Sequence, residues 1–159
     1  MKWLWKLVGR IVFWASWPVL AVYTPHTQRT RVLIVSEGKV LVVRGWISAG
    51  KWGLPGGGLH RGEDPPTGAC REVREETGLR VTPEQLQQLT HSVQNQYGFK
   101  LHYTSFFVRI QSPKTTVKIR RPELIEGAFV DPQSLSQKNA EQHVLDTLAV
   151  WQQKRGLLQ

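Results

Sequence analysis

Three glutamates, Glu72, Glu75 and Glu76, stand at i, i+3 and i+4. In a helix such positions are surface neighbours, so their carboxylates share a face. Like charges packed this way repel unless something positive lies among them, and a hard divalent cation with oxygen ligands is the economical partner. A solvated acidic helix face is the plainer alternative. The stretch before the glutamates bears on that choice. Residues 52–58 read Trp52, Gly53, Leu54, Pro55, Gly56, Gly57, Gly58, a backbone with few side chains to hold a ligand away. Consecutive glycines ahead of a helix also leave its free N–H groups open to an anion. A phosphate-approaching loop leading into a metal-binding helix is the layout of a hydrolase.

The elements that must position these residues are legible on either side. Asp64 suits a helix N-cap, Pro65 the first helical position and Gly78 the left-handed residue that ends the helix. Cys70, Val73 and Thr77, with Ala69 at the edge, form the stripe expected to face the core. Upstream, residues 31–36 and 39–44 read as two strands joined at Glu37 and Gly38. Downstream, residues 88–97 and 101–110 read as paired strands turning near Gly98, the second mostly buried. Residues 139–155 close the chain as an amphipathic helix with Ala140, Val144, Leu148 and Trp151 on one face. Lys114, Lys118, Arg120 and Arg121 make a basic run ahead of Glu123, either a solvated loop or a grip for substrate phosphates.

Residues 57–79 resemble a Nudix box: Gly, five residues, Glu, seven residues, then Arg-Glu-apolar-any-Glu-Glu-any-Gly-apolar. Gly57, Glu63, Arg71, Glu72, Val73, Glu75, Glu76, Gly78 and Leu79 meet every specified position. The Trp-x-Leu-Pro-Gly-Gly lead-in and the later acidic stretch over 122–135 extend the resemblance to roughly residues 29–155. It implies an α/β (α+β) fold, an α/β/α sandwich on a mixed, curved sheet, with the box helix on one face and the 139–155 helix on the other. It also implies hydrolysis of a phosphoanhydride bond in a nucleoside diphosphate linked to another moiety, with Mg2+ as cofactor and Mn2+ as its substitute. By the same resemblance Glu75 and Glu76 are the main metal ligands, Glu72 a further ligand or the base, and the Gly56 carbonyl joins them. Arg71 orients Glu72, and Glu63 fixes the box loop. The base is Glu72, Glu123 or Glu126, while Gly57, Gly58, Arg44, Lys118 and Arg120 are candidates for substrate contact. A non-catalytic nucleotide-binding or regulatory module of the same fold, membrane-associated, is the alternative. A small nucleotide is the expected partner and nucleic acid is not; a dimer stays open.

At 159 residues the length suits one domain with its own core, expected over 31–159 after a polar linker at 24–30. One cysteine excludes an internal disulfide, and no Cys/His spacing suits zinc. The net charge is +9 although five of the twelve acidic residues lie between Glu63 and Glu76, so the remaining surface is strongly basic. Residues 1–23 hold four of the seven tryptophans and no acid, with Lys2, Lys6 and Arg10 four apart. The uncharged run 11–23 is short of the roughly 20 residues of a bilayer span and Pro18 interrupts it. A helix lying in an anionic membrane interface is the expectation. A true span, packing on the domain or on a dimer mate, and a cleaved signal peptide are the alternatives. An interfacial anchor places the enzyme in the cytoplasm, peripheral at the membrane's inner face.

Overall fold

The computed structural model describes residues 11–12, 15, 26–46, 48–96, 99–111, 119 and 124–154. The expectations for Lys118, Arg120, Glu123, the turn at Gly98 and nearly all of residues 1–23 lie outside these. Among the described residues no helix is long and apolar enough to cross a membrane.

Five strands form one mixed sheet: β1 (His26–Ser36), β2 (Lys39–Gly45), β3 (Gln87–Gln96), β4 (Phe99–Arg109) and β5 (Leu124–Val130), in the order β3-β4-β1-β2-β5. β1 runs parallel to β4, and the other neighbouring pairs are antiparallel. The β1–β2 hairpin turns through Glu37 (φ 49°) and Gly38 (φ 76°), two consecutive positive-φ residues of the kind that match strand twist. Two helices, α1 (Pro65–Thr77) and α2 (Gln142–Lys154), cover opposite faces.

Alternation along β1 shows how one strand serves both layers. Leu33 and Val35 join Val40, Val42 and Phe107 beneath Val144, Leu148 and Trp151 of α2. Val32 and Ile34 join Leu41, Phe106 and Val108 beneath Ala69 and Val73 of α1. A strand buried on both sides reads as a continuous apolar run, as residues 32–35 do.

Two boundaries differ from expectation by more than two residues. β1 begins at His26, so most of the expected linker is strand. Its polar residues pair in parallel with β4, from His26 opposite Lys100 to Thr30 opposite Thr104. On the other edge Leu59 donates its N–H to the Gln28 carbonyl at 2.9 Å. Backbone pairing therefore extends the strand without an apolar pattern. α2 begins at Gln142 rather than Asn139, because the preceding residues bond to the lead-in instead: Trp52 N–H to Asn139 O at 2.8 Å and Glu141 N–H to Trp52 O at 2.9 Å.

Candidate active site

α1 is capped as its sequence requires. Asp64 accepts the Thr67 N–H at 3.1 Å, and Gly78 ends the helix at φ 75°. Its buried face differs from the expected stripe. Ala69, Val73 and Thr77 are buried, but so are Glu72 and Glu76, while Cys70 sits half-buried at the margin with burial pushing its thiol pKa up. Glu72 and Glu76 lie one above the other at i, i+4 beneath the glycine loop; Glu75 falls to the side, its side chain 34% exposed. Glu76, outside the stripe expected to face the core, is buried all the same.

The glycines make this burial possible. Gly56 has φ 146°, and a Cβ there would run into the Thr30 carbonyl. A Cβ on Gly57 would stand 2.6 Å from the Glu72 carboxylate carbon. Above Glu76, the Gly56 N–H donates to Oε2 at 2.9 Å. The Gly57 carbonyl accepts the Thr30 N–H at 2.9 Å, which seats the loop on β1.

Arg71 ties loop to helix. Its Nε donates to Glu63 Oε1 and its Nη2 to Glu63 Oε2, both at 2.8 Å, and Nη2 also reaches the Gly58 carbonyl at 2.9 Å. Nη1 donates to Glu72 Oε1 at 2.7 Å and lies 3.5 Å from Glu75 Oε2. Glu63 Oε2 accepts the His60 N–H as well, at 2.8 Å. Hydrogen bonds from Arg71, then from His60, hold the Glu63 carboxyl down at about 2. Glu63 in turn raises the Arg71 pKa further, so the guanidinium stays cationic. Arg71 thus touches Glu72, and Glu63 touches the box loop at the His60 N–H.

The donors suit a hard divalent cation in kind, being carboxylate oxygens on one helix beside open backbone. Among the described residues, however, no three His, Cys, Asp or Glu side chains converge as they stand to hold an ion. Glu72 is turned toward Arg71 and Glu76 toward the Gly56 N–H, so taking up a cation exchanges bonds rather than filling a finished cage.

The remaining candidates sort by element. Arg44 and Glu126 face each other across β2 and β5, with Nη1 3.4 Å from Oε2. The Arg44 guanidinium also stacks on Trp52 at 3.8 Å, and its Nε has no hydrogen-bond partner among the described residues. On the α2 side of β1 the structure adds contacts that sequence reading missed. Arg31 stacks on Tyr103 at 3.5 Å, and burial lowers its pKa to about 10. His143 accepts the Leu54 N–H at Nε2 (3.4 Å), and its Nδ1 lies 3.1 Å from Glu141 Oε2. Burial lowers the His143 pKa, which favours the neutral ring with its proton on Nδ1. Only the parallel β1–β4 register and the return of residues 139–143 to the lead-in bring these groups together.

Comparison with known proteins places this geometry. A family profile described as NUDIX domain matches residues 25–150. An RNA pyrophosphohydrolase from Rhodospirillum rubrum is 39% identical over 64 residues, 40% of this chain and 39% of that protein. The chain therefore spans well under half the length of that curated relative. The MutT protein from Methanosarcina mazei Go1 superposes with a TM-score of 0.70 at 24% identity, over 82% of this chain and 96% of that one. A bifunctional NMN adenylyltransferase/ADP ribose pyrophosphatase from Francisella tularensis, solved with AMP and a manganese ion, gives 0.72 at 17% identity, over 93% of this chain and 48% of that one. At such identities the likeness is one of fold.

Proposed function

The chain belongs to the NUDIX domain family, and we propose that it hydrolyses a phosphoanhydride bond in a nucleotide-type substrate with the help of a divalent cation. The observation that carries this reading is the Arg71 fork, which locks Glu63, Glu72 and the glycine loop into one unit. Glu75 and Glu76, with Glu72, would hold the cation. Bound there, it supplies charge neutralisation on the phosphates and a lowered pKa for water.

The chain's own groups do the rest. Arg71 keeps Glu72 in place, and Gly56 and Gly57 let backbone close over the two buried carboxylates. Glu63 fixes the loop that carries them. Proton removal from water falls to a carboxylate outside this locked unit, Glu123 or Glu126. Glu126 is 52% exposed and steadied by Arg44. Lys118 and Arg120, in the basic run before Glu123, would meet the phosphates. Residues 1–23 would rest on an anionic lipid surface, keeping the enzyme peripheral to a membrane.

The relative named RNA pyrophosphohydrolase and the neighbour named for ADP ribose both support a nucleotide-type substrate without choosing among them. The test is phosphate release from a panel of nucleoside triphosphates, nucleotide sugars, dinucleoside polyphosphates and 5′-triphosphorylated RNA, each with Mg2+, with Mn2+ and with chelator. Cation-dependent release from at least one supports the reading. No release from any would favour the non-catalytic module.

A further inference from the structure

We propose that the cavity between the first turn of α1 and the β3–β4 ladder binds a base of a single-stranded oligonucleotide whose 5′ phosphates reach the box glutamates. The second half rests on the hydrolase reading above; the base site stands on the cavity alone. It replaces the expectation that nucleic acid is not a partner.

The cavity has a volume of about 420 Å³, within the usual range for small-ligand sites. Phe106, Pro65 and Pro66 supply apolar wall. Gln28, Gln88, His91 and His102 supply polar groups, and among the described residues the lining carries no Asp, Glu, Lys or Arg. Such a lining gives no counter-charge to a phosphate or carboxylate, but it suits a neutral, planar heterocycle. Each glutamine offers a donor pair and an acceptor, which can meet the edge of a base. The imidazoles offer the aromatic faces on which unpaired bases stack.

The ladder prepares these rings. His91 stands opposite Thr104, and His102 opposite Val93, which puts the two histidines on one diagonal of the sheet. Their centroids are 5.9 Å apart with the planes tilted by 37°. His91 Nδ1 lies 3.2 Å from Thr104 Oγ1, an anchor that leaves Nε2 for a ligand.

The cavity is joined to the box by backbone. Gln28, on its wall, accepts the Leu59 N–H; two residues along β1, roughly 7 Å, Thr30 holds the Gly57 that packs on Glu72. Along α1, Pro66 and Glu75 are nine residues apart, roughly 14 Å of helix. A phosphodiester chain spans that gap with charge along its length. Exposed Lys100, two residues before His102 and so on the same face of β4, lies on the side of the cavity away from the box, where the 3′ continuation of the strand would pass.

Titration of a short, 3′-labelled, 5′-phosphorylated single-stranded RNA into the full chain, read by fluorescence anisotropy, tests this. The wild type is expected to bind. His102→Ala with Gln88→Ala should weaken binding about tenfold or more, the effect of losing one stacked base, while His102→Phe keeps most of the affinity. The histidine ring-proton NMR signals of the wild type should move on the same titration, a readout independent of how well the double variant folds. In turnover, the double variant should lose kcat/KM on 5′-triphosphorylated RNA and keep it on a free nucleoside triphosphate. Absence of RNA binding by the wild type, or equal binding by a folded double variant, overturns the base site. Variant-sensitive RNA binding with no hydrolysis of any substrate would instead overturn the hydrolase reading and leave the base site supported.

Discussion

Replacing Glu63 by glutamine tests whether the Arg71 fork holds the loop to the helix. Glu63 accepts Arg71 through both oxygens at 2.8 Å, and Oε2 also accepts the His60 N–H at 2.8 Å. A glutamine keeps one acceptor oxygen. Placed where Oε2 stands, it preserves the His60 and Nη2 bonds, while its amide group meets the Arg71 Nε–H donor to donor. One charge-assisted bond and one negative charge are lost, where such bonds contribute about 1.5–3 kcal/mol. The two side chains are only 11% and 13% exposed, so water replaces little of the loss. Arg71 still has Glu72 and the Gly58 carbonyl, which keeps the effect below the roughly 3–5 kcal/mol of stranding a buried charge. At roughly 2–4 °C per kcal/mol for a chain of this size, Tm should fall by about 3–12 °C at neutral pH. The pH dependence has a sign. The folded-state carboxyl titrates at about 2, below its ordinary 4.5, so its stabilisation is whole above 4.5 and is lost as pH falls through about 2. Circular-dichroism melts of both proteins should therefore show a gap at neutral pH that closes across that window. A variant that melts with the wild type at neutral pH, or a gap unchanged by acid, would mean that the Glu63 carboxylate does not hold the loop to the helix.

Gly57→Ala forces a Cβ against the Glu72 carboxylate; turnover should drop on the order of 10²-fold, as for other small misplacements near chemistry, and normal kcat would reject the packing. Leu148→Ala, in the α2 layer far from the box in sequence, should cost about 2–5 kcal/mol in denaturant unfolding while kcat of the folded fraction is kept. Deleting residues 1–23 should leave an active, soluble enzyme that no longer sediments with anionic liposomes. Unfolding of the deletion, with no liposome binding by the full chain, would assign the segment to the core or a dimer interface.

The strands and helices were readable where local pattern and tertiary need agree. The apolar run 32–35 marked a strand, though not that both its faces are covered, and Asp64, Pro65 and Gly78 marked the ends of α1. Polar residues 26–30 gave no strand signal, because what orders them is pairing with β4 and the box loop rather than burial of side chains. The pairing of Glu63 with Arg71 across the loop-to-helix junction was not read from the box spacing, which gave each a separate role. The burial of Glu72 and Glu76 was not readable: an i, i+4 pair of acids looks like a solvated face until the glycine loop is laid over it. Arg31 with Tyr103, and His143 with Leu54, meet through a register and a chain return that no local pattern encodes.

Mn2+ binding followed by electron paramagnetic resonance tests whether the box glutamates hold a divalent cation, without relying on a known substrate. Titrated into the full chain, Mn2+ should lose its free-ion signal at one saturable site. Glu75→Gln and Glu76→Gln should each weaken that binding by about tenfold or more, the scale of losing about 1.4 kcal/mol per decade of affinity. Equal Mn2+ affinity in the wild type and both folded variants, or no binding by the wild type, would mean that these carboxylates do not hold the cation.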